Sequence, residues 1–195
     1  MCNQPLGGEP PNDSEKARML RGELYKADDP RLLADHERCR LLVEAFNATS
    51  AVDGEERRTL LLALFGAAGE GVEVKPPFQC DYGFNISCGD RTFVNYGGVF
   101  LDVARISIGA DVQIGTSVQL LTATHPVDAE ARRQGWESGS PITVGDGAWL
   151  GGGVIVCPGV TIGENAVVGA GSVVAADLPP SVLAVGNPAR IVRAL

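Results

Sequence analysis

A six-residue beat runs through the second half of this chain and narrows its possible folds. Stepping by six from Ile108 gives Ile108, Ile114 and Leu120, then Val144, Leu150, Val156, Ile162, Val168 and Val174, all branched aliphatics. Glycine follows at Gly109, Gly115, Gly145, Gly151, Gly163 and Gly169. A helix repeats near 3.6 residues and a half-buried strand at 2, so neither makes this pattern. A solenoid does, with one short strand and a corner per repeat. A second column two residues earlier (Ile106, Val112, Val118, Ile142, Ala148, Val154, Val160, Ala166, Ser172) is mostly aliphatic or small. Upstream, Cys88, Val94 and Phe100 keep the beat before it slips by two ahead of Ile108. Around 122–141 it is interrupted, yet Leu120 and Val144 are 24 residues apart, so the coil resumes in phase. The segment 122–141 is therefore an excursion loop.

Ahead of the coil, assigned to residues 72–195, lies a helical region, 14–71. Ser14 starts a helix that runs to about Lys26. Asp29 caps a second, with Pro30 at its first position and Leu32, Leu33, Cys39, Leu42, Val43 and Phe46 as its apolar stripe. A third begins at Asp53 and stops at Gly66. Residues 1–13, rich in Pro, Gly and Asn, are expected to form a disordered tail.

A net charge of -8 argues against nucleic acid and anionic membranes as partners. No apolar run reaches the length of a membrane span, and the first five residues do not open a signal peptide. Five cysteines without CxxC spacing point to reduced thiols and a cytoplasmic location.

The repeated Ile-Gly hexads resemble those of the hexapeptide-repeat acyltransferases. Asp81-Tyr82-Gly83, Thr124-His125-Pro126, Trp149-Leu150-Gly151-Gly152-Gly153 and Gly186-Asn187-Pro188-Ala189 are similar to blocks of the maltose and galactoside O-acetyltransferases. The segment with Gly22-Glu23-Leu24-Tyr25 resembles the helical region of that branch. The resemblance covers about residues 14–195. It implies a mainly β fold, a left-handed parallel β-helix with a small N-terminal α-helical region. It also implies a homotrimer with sites at subunit interfaces and acetyl transfer from acetyl-CoA to a sugar hydroxyl.

A hydroxyl is a weak nucleophile until a base takes its proton, and imidazole, with an ordinary pKa of about 6.5, suits that task. Of the two histidines, His125 occupies the family's base position, and Asn95 matches an asparagine beside the reacting hydroxyl. Gly152 matches a position offering a backbone N–H to the developing oxyanion. By the same resemblance Trp149, Gly151, Ala170 and Ala175 line the coenzyme groove, with Arg190 and Arg193 near its phosphates. Ala175-Ala176 departs from the family, which usually carries Thr-Lys there. Asp28, His36, Asp81, Phe93 and Asp102 are the acceptor-binding candidates. His36 stands where relatives tend to carry Arg. Tyr82 and Trp136 could stack on a sugar face.

No metal is required by this chemistry. Zinc-dependent hydration on a similar coil takes three protein histidines, and this chain has two. The alternatives are an acetyltransferase acting on an antibiotic hydroxyl and a non-enzymatic β-helix scaffold.

Overall fold

The computed structural model describes residues 13–195. The expected tail therefore lies outside the described residues, apart from Asp13.

From Ala67 to the last residues the chain winds as a parallel β-helix with three faces of five, seven and five strands. The first face stacks Ala67–Ala68, Ile86–Cys88, Ile106–Ile108, Ile142–Val144 and Thr161–Ile162. The second stacks Glu73–Val74, Phe93–Val94, Gln113–Ile114, Trp149–Leu150, Val167–Val168 and Val182–Val185, then the antiparallel Arg190–Ala194. The third stacks Phe78–Cys80, Gly98–Leu101, Gln119–Leu121, Ile155–Val156 and Val173–Val174.

Both six-step columns point inward: every residue of each is buried. An outward residue separates them, so each rung places two side chains per face into the core. At the lower end Phe78 meets Phe100, Phe65 and Phe46 edge-on, with ring centroids 5.1, 5.5 and 6.5 Å apart. This aromatic stack carries the core from the coil into the helices.

The coil begins five residues before the expected 72, because Ala67–Ala68 pairs in parallel with Ser87 and Cys88. Two alanines carry no strand signal, so the pairing is set by the rung above. The three expected helices form as α1 (Glu15–Leu20), α2 (Pro30–Asn47) and α3 (Gly54–Leu64), with Ser14, Asp29 and Asp53 accepting capping hydrogen bonds. α1 ends well short of Lys26. Gly22 adopts a φ of 73°, which ends the helical path, and Tyr25–Lys26 becomes a strand instead.

α2 and α3 close the bottom of the coil. The Asn47 side-chain amide donates to the Phe78 carbonyl (2.9 Å) and accepts from the Phe78 N–H (2.8 Å). Arg58 donates to the carbonyls of Ala68 and Gly69 at 3.2 and 2.9 Å. These side chains supply what the missing rung would.

Three departures from the hexad fall at one corner, where the third face turns into the first. The step from Cys80 to Cys88 is eight residues, as is that from Phe100 to Ile108. The next, Leu120 to Val144, holds the excursion. It forms a hairpin of Ala123–Thr124 and Trp136–Gly139, with α4 (Ala129–Arg133) at its tip. Tyr25–Lys26 adds to its free side as a third strand.

Candidate active site

The widened corner holds Asp102 and Thr122, two of the buried polar residues among those described. The Asp102 carboxylate is buried and accepts from the amides of Asp81 (3.0 Å), Tyr82 (2.8 Å) and Asn85 (3.2 Å). Thr122, also buried, donates to the Leu101 carbonyl at 2.6 Å and accepts from the Ala104 amide at 3.0 Å. In this chain the Asp102 oxygens are engaged by the backbone amides of the corner and the residue is fully buried. Burial is the main cause that pushes its carboxyl up to about 6; the amides, led by Tyr82, oppose the shift and Asp81 adds to it.

Asp81 projects from this corner toward the helices. Burial raises its carboxyl above the usual range, against the pull of His36 and with a contribution from Glu137. The His36 ring, on α2, lies edge-on to Tyr82 with centroids 6.0 Å apart. Tyr82 is buried against Phe84 and so offers no stacking face. Tyr25, fully buried, donates its hydroxyl to Glu137 Oε2 at 3.2 Å, and burial pushes its phenol well up. Trp136 has the Lys26 ammonium 5.0 Å from its ring centre and the Arg18 guanidinium 5.9 Å away, so its ring is occupied by the chain's own cations. Asp28 is exposed on a cleft of about 250 Å³ lined by Lys26, Ala27, Gln134, Gly135 and Glu137. His36, Asp81 and Asp28 thus share one neighbourhood built from the helical segment, the wide corner and the hairpin. Glu137 joins them there. Sequence reading passed over it because one carboxylate in a charged loop carries no motif.

His125 leaves the hairpin one residue after Thr124 and is exposed. Asn95 sits at a different corner, between the second and third faces, where its side-chain oxygen accepts from the Tyr96 amide at 2.8 Å. Phe93 belongs with Asn95: it lies on the outer row of the second face, in register with Gln113, which pairs in turn with Trp149. This takes Phe93 away from Asp81 and His36.

Above Asn95 the corner rises through Gly115, Gly151 and Gly169. A methyl group on Gly151 would come 2.6 Å from the Ala170 amide nitrogen, so only glycine fits. Among the described residues the Gly152 N–H donates to no acceptor, like those of Thr116 and Ala170 on the adjoining rungs. Trp149 projects from this wall, 56% exposed. Ala175 and Ala176 are exposed at the other corner, beyond the end of the third face. One chain therefore distributes its coenzyme candidates over two corners flanking the third face. Arg190 and Arg193 lie on the final exposed strand, where among the described residues their guanidinium groups donate to the backbone carbonyls of Ala189 and Ala194.

Residues 18–69 match the family model described as the maltose acetyltransferase hexapeptide capping motif, and 141–176 match that of the bacterial transferase hexapeptide. Nodulation protein L of Rhizobium meliloti (strain 1021) is 45% identical over 178 residues, covering 91% of this chain and 97% of that protein. A maltose O-acetyltransferase from Clostridium difficile 630 is 47% identical, with a TM-score of 0.93 over 93% of this chain and 97% of the other. A hexapeptide-repeat acetyltransferase from Vibrio cholerae, crystallised with acetyl coenzyme A, is 41% identical, with a TM-score of 0.88 over 93% and 98% of the two chains. Among the described residues no helix is long and apolar enough to cross a membrane.

Proposed function

The chain belongs to the hexapeptide-repeat acetyltransferases that carry the maltose acetyltransferase capping motif, and on that premise we propose direct transfer of acetyl from acetyl-CoA to a sugar hydroxyl, with His125 as general base. The observation that carries this reading is the widened corner. It sends out one hairpin that carries the exposed His125, and Glu137 of the same hairpin lines a cleft with Asp28 and helps raise the Asp81 carboxyl.

In this mechanism His125 takes the proton of the acceptor hydroxyl as its oxygen attacks the thioester carbonyl. The oxyanion that forms is met by the free Gly152 N–H. Collapse expels the CoA thiolate, which receives the proton back from His125. The acetyl group never rests on the protein, so no nucleophilic side chain is needed.

Association around a threefold axis accounts for the division of residues between two corners. The Trp149–Gly152 wall and Asn95 of one copy then face the hairpin and the Ala175 corner of the next, and the groove between them takes the pantetheine arm. Arg190 and Arg193 supply cations at the upper end, where the nucleotide phosphates emerge.

His125→Ala tests the assignment. Loss of a general base lowers kcat/KM by roughly 10²- to 10⁴-fold, while acetyl-CoA binding, followed by calorimetry, stays as in the wild type. Near-normal turnover in this variant would refute the role.

A further inference from the structure

The outer row of the second face carries an assignment beyond the residues named so far. Gln113 pairs with Phe93 on one side and with Trp149 on the other. Its neighbours Val112 and Ile114 are buried, so strand alternation turns the Gln113 side chain outward. Neighbouring strands lie about 4.8 Å apart. The amide therefore stands in a short column, with the half-buried Phe93 one rung below and the exposed Trp149 one rung above.

The same rung lies at the level of acetyl transfer. Asn95 follows the strand of Phe93, and Gly151 and Gly152 follow that of Trp149. The rung between them runs Gln113, Ile114, Gly115. On the acetyl-transfer reading the acceptor lies against Asn95 and Phe93, and the thioester arrives past Trp149 at the Gly152 N–H. Gln113 is then level with the point where the two substrates meet. Its carboxamide is exposed and makes no hydrogen bond among the described residues. The Asn95 oxygen, by contrast, is already taken by the Tyr96 amide. A glutamine amide offers two donors and an acceptor in one plane. That set matches a sugar hydroxyl, which both donates and accepts, while the aromatic ring one rung below suits the apolar face of a sugar.

We propose that Gln113 is an acceptor-binding residue: its carboxamide hydrogen-bonds an acceptor oxygen other than the one acetylated. This rests on the acetyl-transfer reading above and adds a contact that selects the acceptor. It favours sugars, which carry further hydroxyls, over simple alcohols.

The test is steady-state kinetics, following CoA thiol release, with a methyl glycoside and its monodeoxy analogues on wild type and Gln113→Met. Methionine keeps the length of the side chain and removes its amide. Gln113→Met is expected to lower kcat/KM for the parent glycoside roughly fivefold to fiftyfold, the worth of a hydrogen bond whose partner is left unpaired, with the KM for acetyl-CoA unchanged. One monodeoxy analogue should show a similar loss with the wild type and no further loss with the variant, because both changes remove the same bond. If the variant is partly unfolded, the ratio of kcat/KM between parent and deoxy sugar still decides, since it does not depend on the fraction folded. A kcat/KM within twofold of wild type, a deoxy penalty that persists in full for every analogue, or a loss confined to the KM for acetyl-CoA overturns the assignment alone. A wild type that acetylates no sugar overturns the acetyl-transfer reading, and the assignment with it.

Discussion

Asp102→Asn should reveal how the widened corner is held. In the folded chain the Asp102 carboxyl is pushed up to about 6, because burial outweighs the three amides that favour its charged form. In the unfolded chain it returns to about 3.9. Between these values the folded state binds more protons than the unfolded one, so stability falls as pH rises through the window. The wild type keeps the full contribution below pH 4 and has lost it above pH 6. A difference of about two pKa units corresponds to about 3 kcal/mol. Asparagine cannot titrate, and it turns an N–H toward the Asn85 amide, a mismatch whose cost does not vary with pH. Asp81 titrates in both proteins and cancels to first order. The stability of the wild type minus that of Asp102→Asn should therefore drop by about 3 kcal/mol from pH 3 to pH 7. Urea denaturation at half-unit pH steps measures it. A difference that stays level or rises with pH would mean that the amides outweigh burial, and the reasoning would fail.

Two further outcomes are expected. Asn47→Ala removes both hydrogen bonds to Phe78 at the lower rim and should cost about 1–3 kcal/mol in chemical denaturation, the penalty of buried backbone groups left unpaired. Ala175→Thr with Ala176→Lys restores the pair usual in relatives at an exposed corner. It should lower the KM for acetyl-CoA several-fold at low salt, with the gain fading as ionic strength rises.

The coil was legible because its period is enforced residue by residue. Each inward position must be apolar or small, and Ile108 through Val174 obey this without exception. The caps Ser14, Asp29 and Asp53 were legible for an equally local reason, since a side-chain oxygen must meet amides two or three residues on. The strand at Tyr25–Lys26 was not. Its partner is 112 residues away and its two residues have no period of their own. The corner role of Asp102 was hidden as well, because its sequence neighbours do not reveal that Asp81, Tyr82 and Asn85, from the rung below, turn their amides onto it. Glu137 escaped notice for a related reason: its place beside Tyr25 comes from the pairing of strands far apart in the sequence.

The closed lower rim also works against end-to-end joining of copies of this protein. A stack of parallel rungs has two unlike ends, and unlike ends left bare would join head to tail without limit, giving fibres. Here Asn47 and Arg58 already occupy the lower backbone groups of Phe78, Ala68 and Gly69, and the last strand runs antiparallel across the top. These groups work against axial growth at the lower end of two faces and at the upper end of the third. The flanks, where Trp149 and the two alanines of the upper corner lie exposed, carry no such cap.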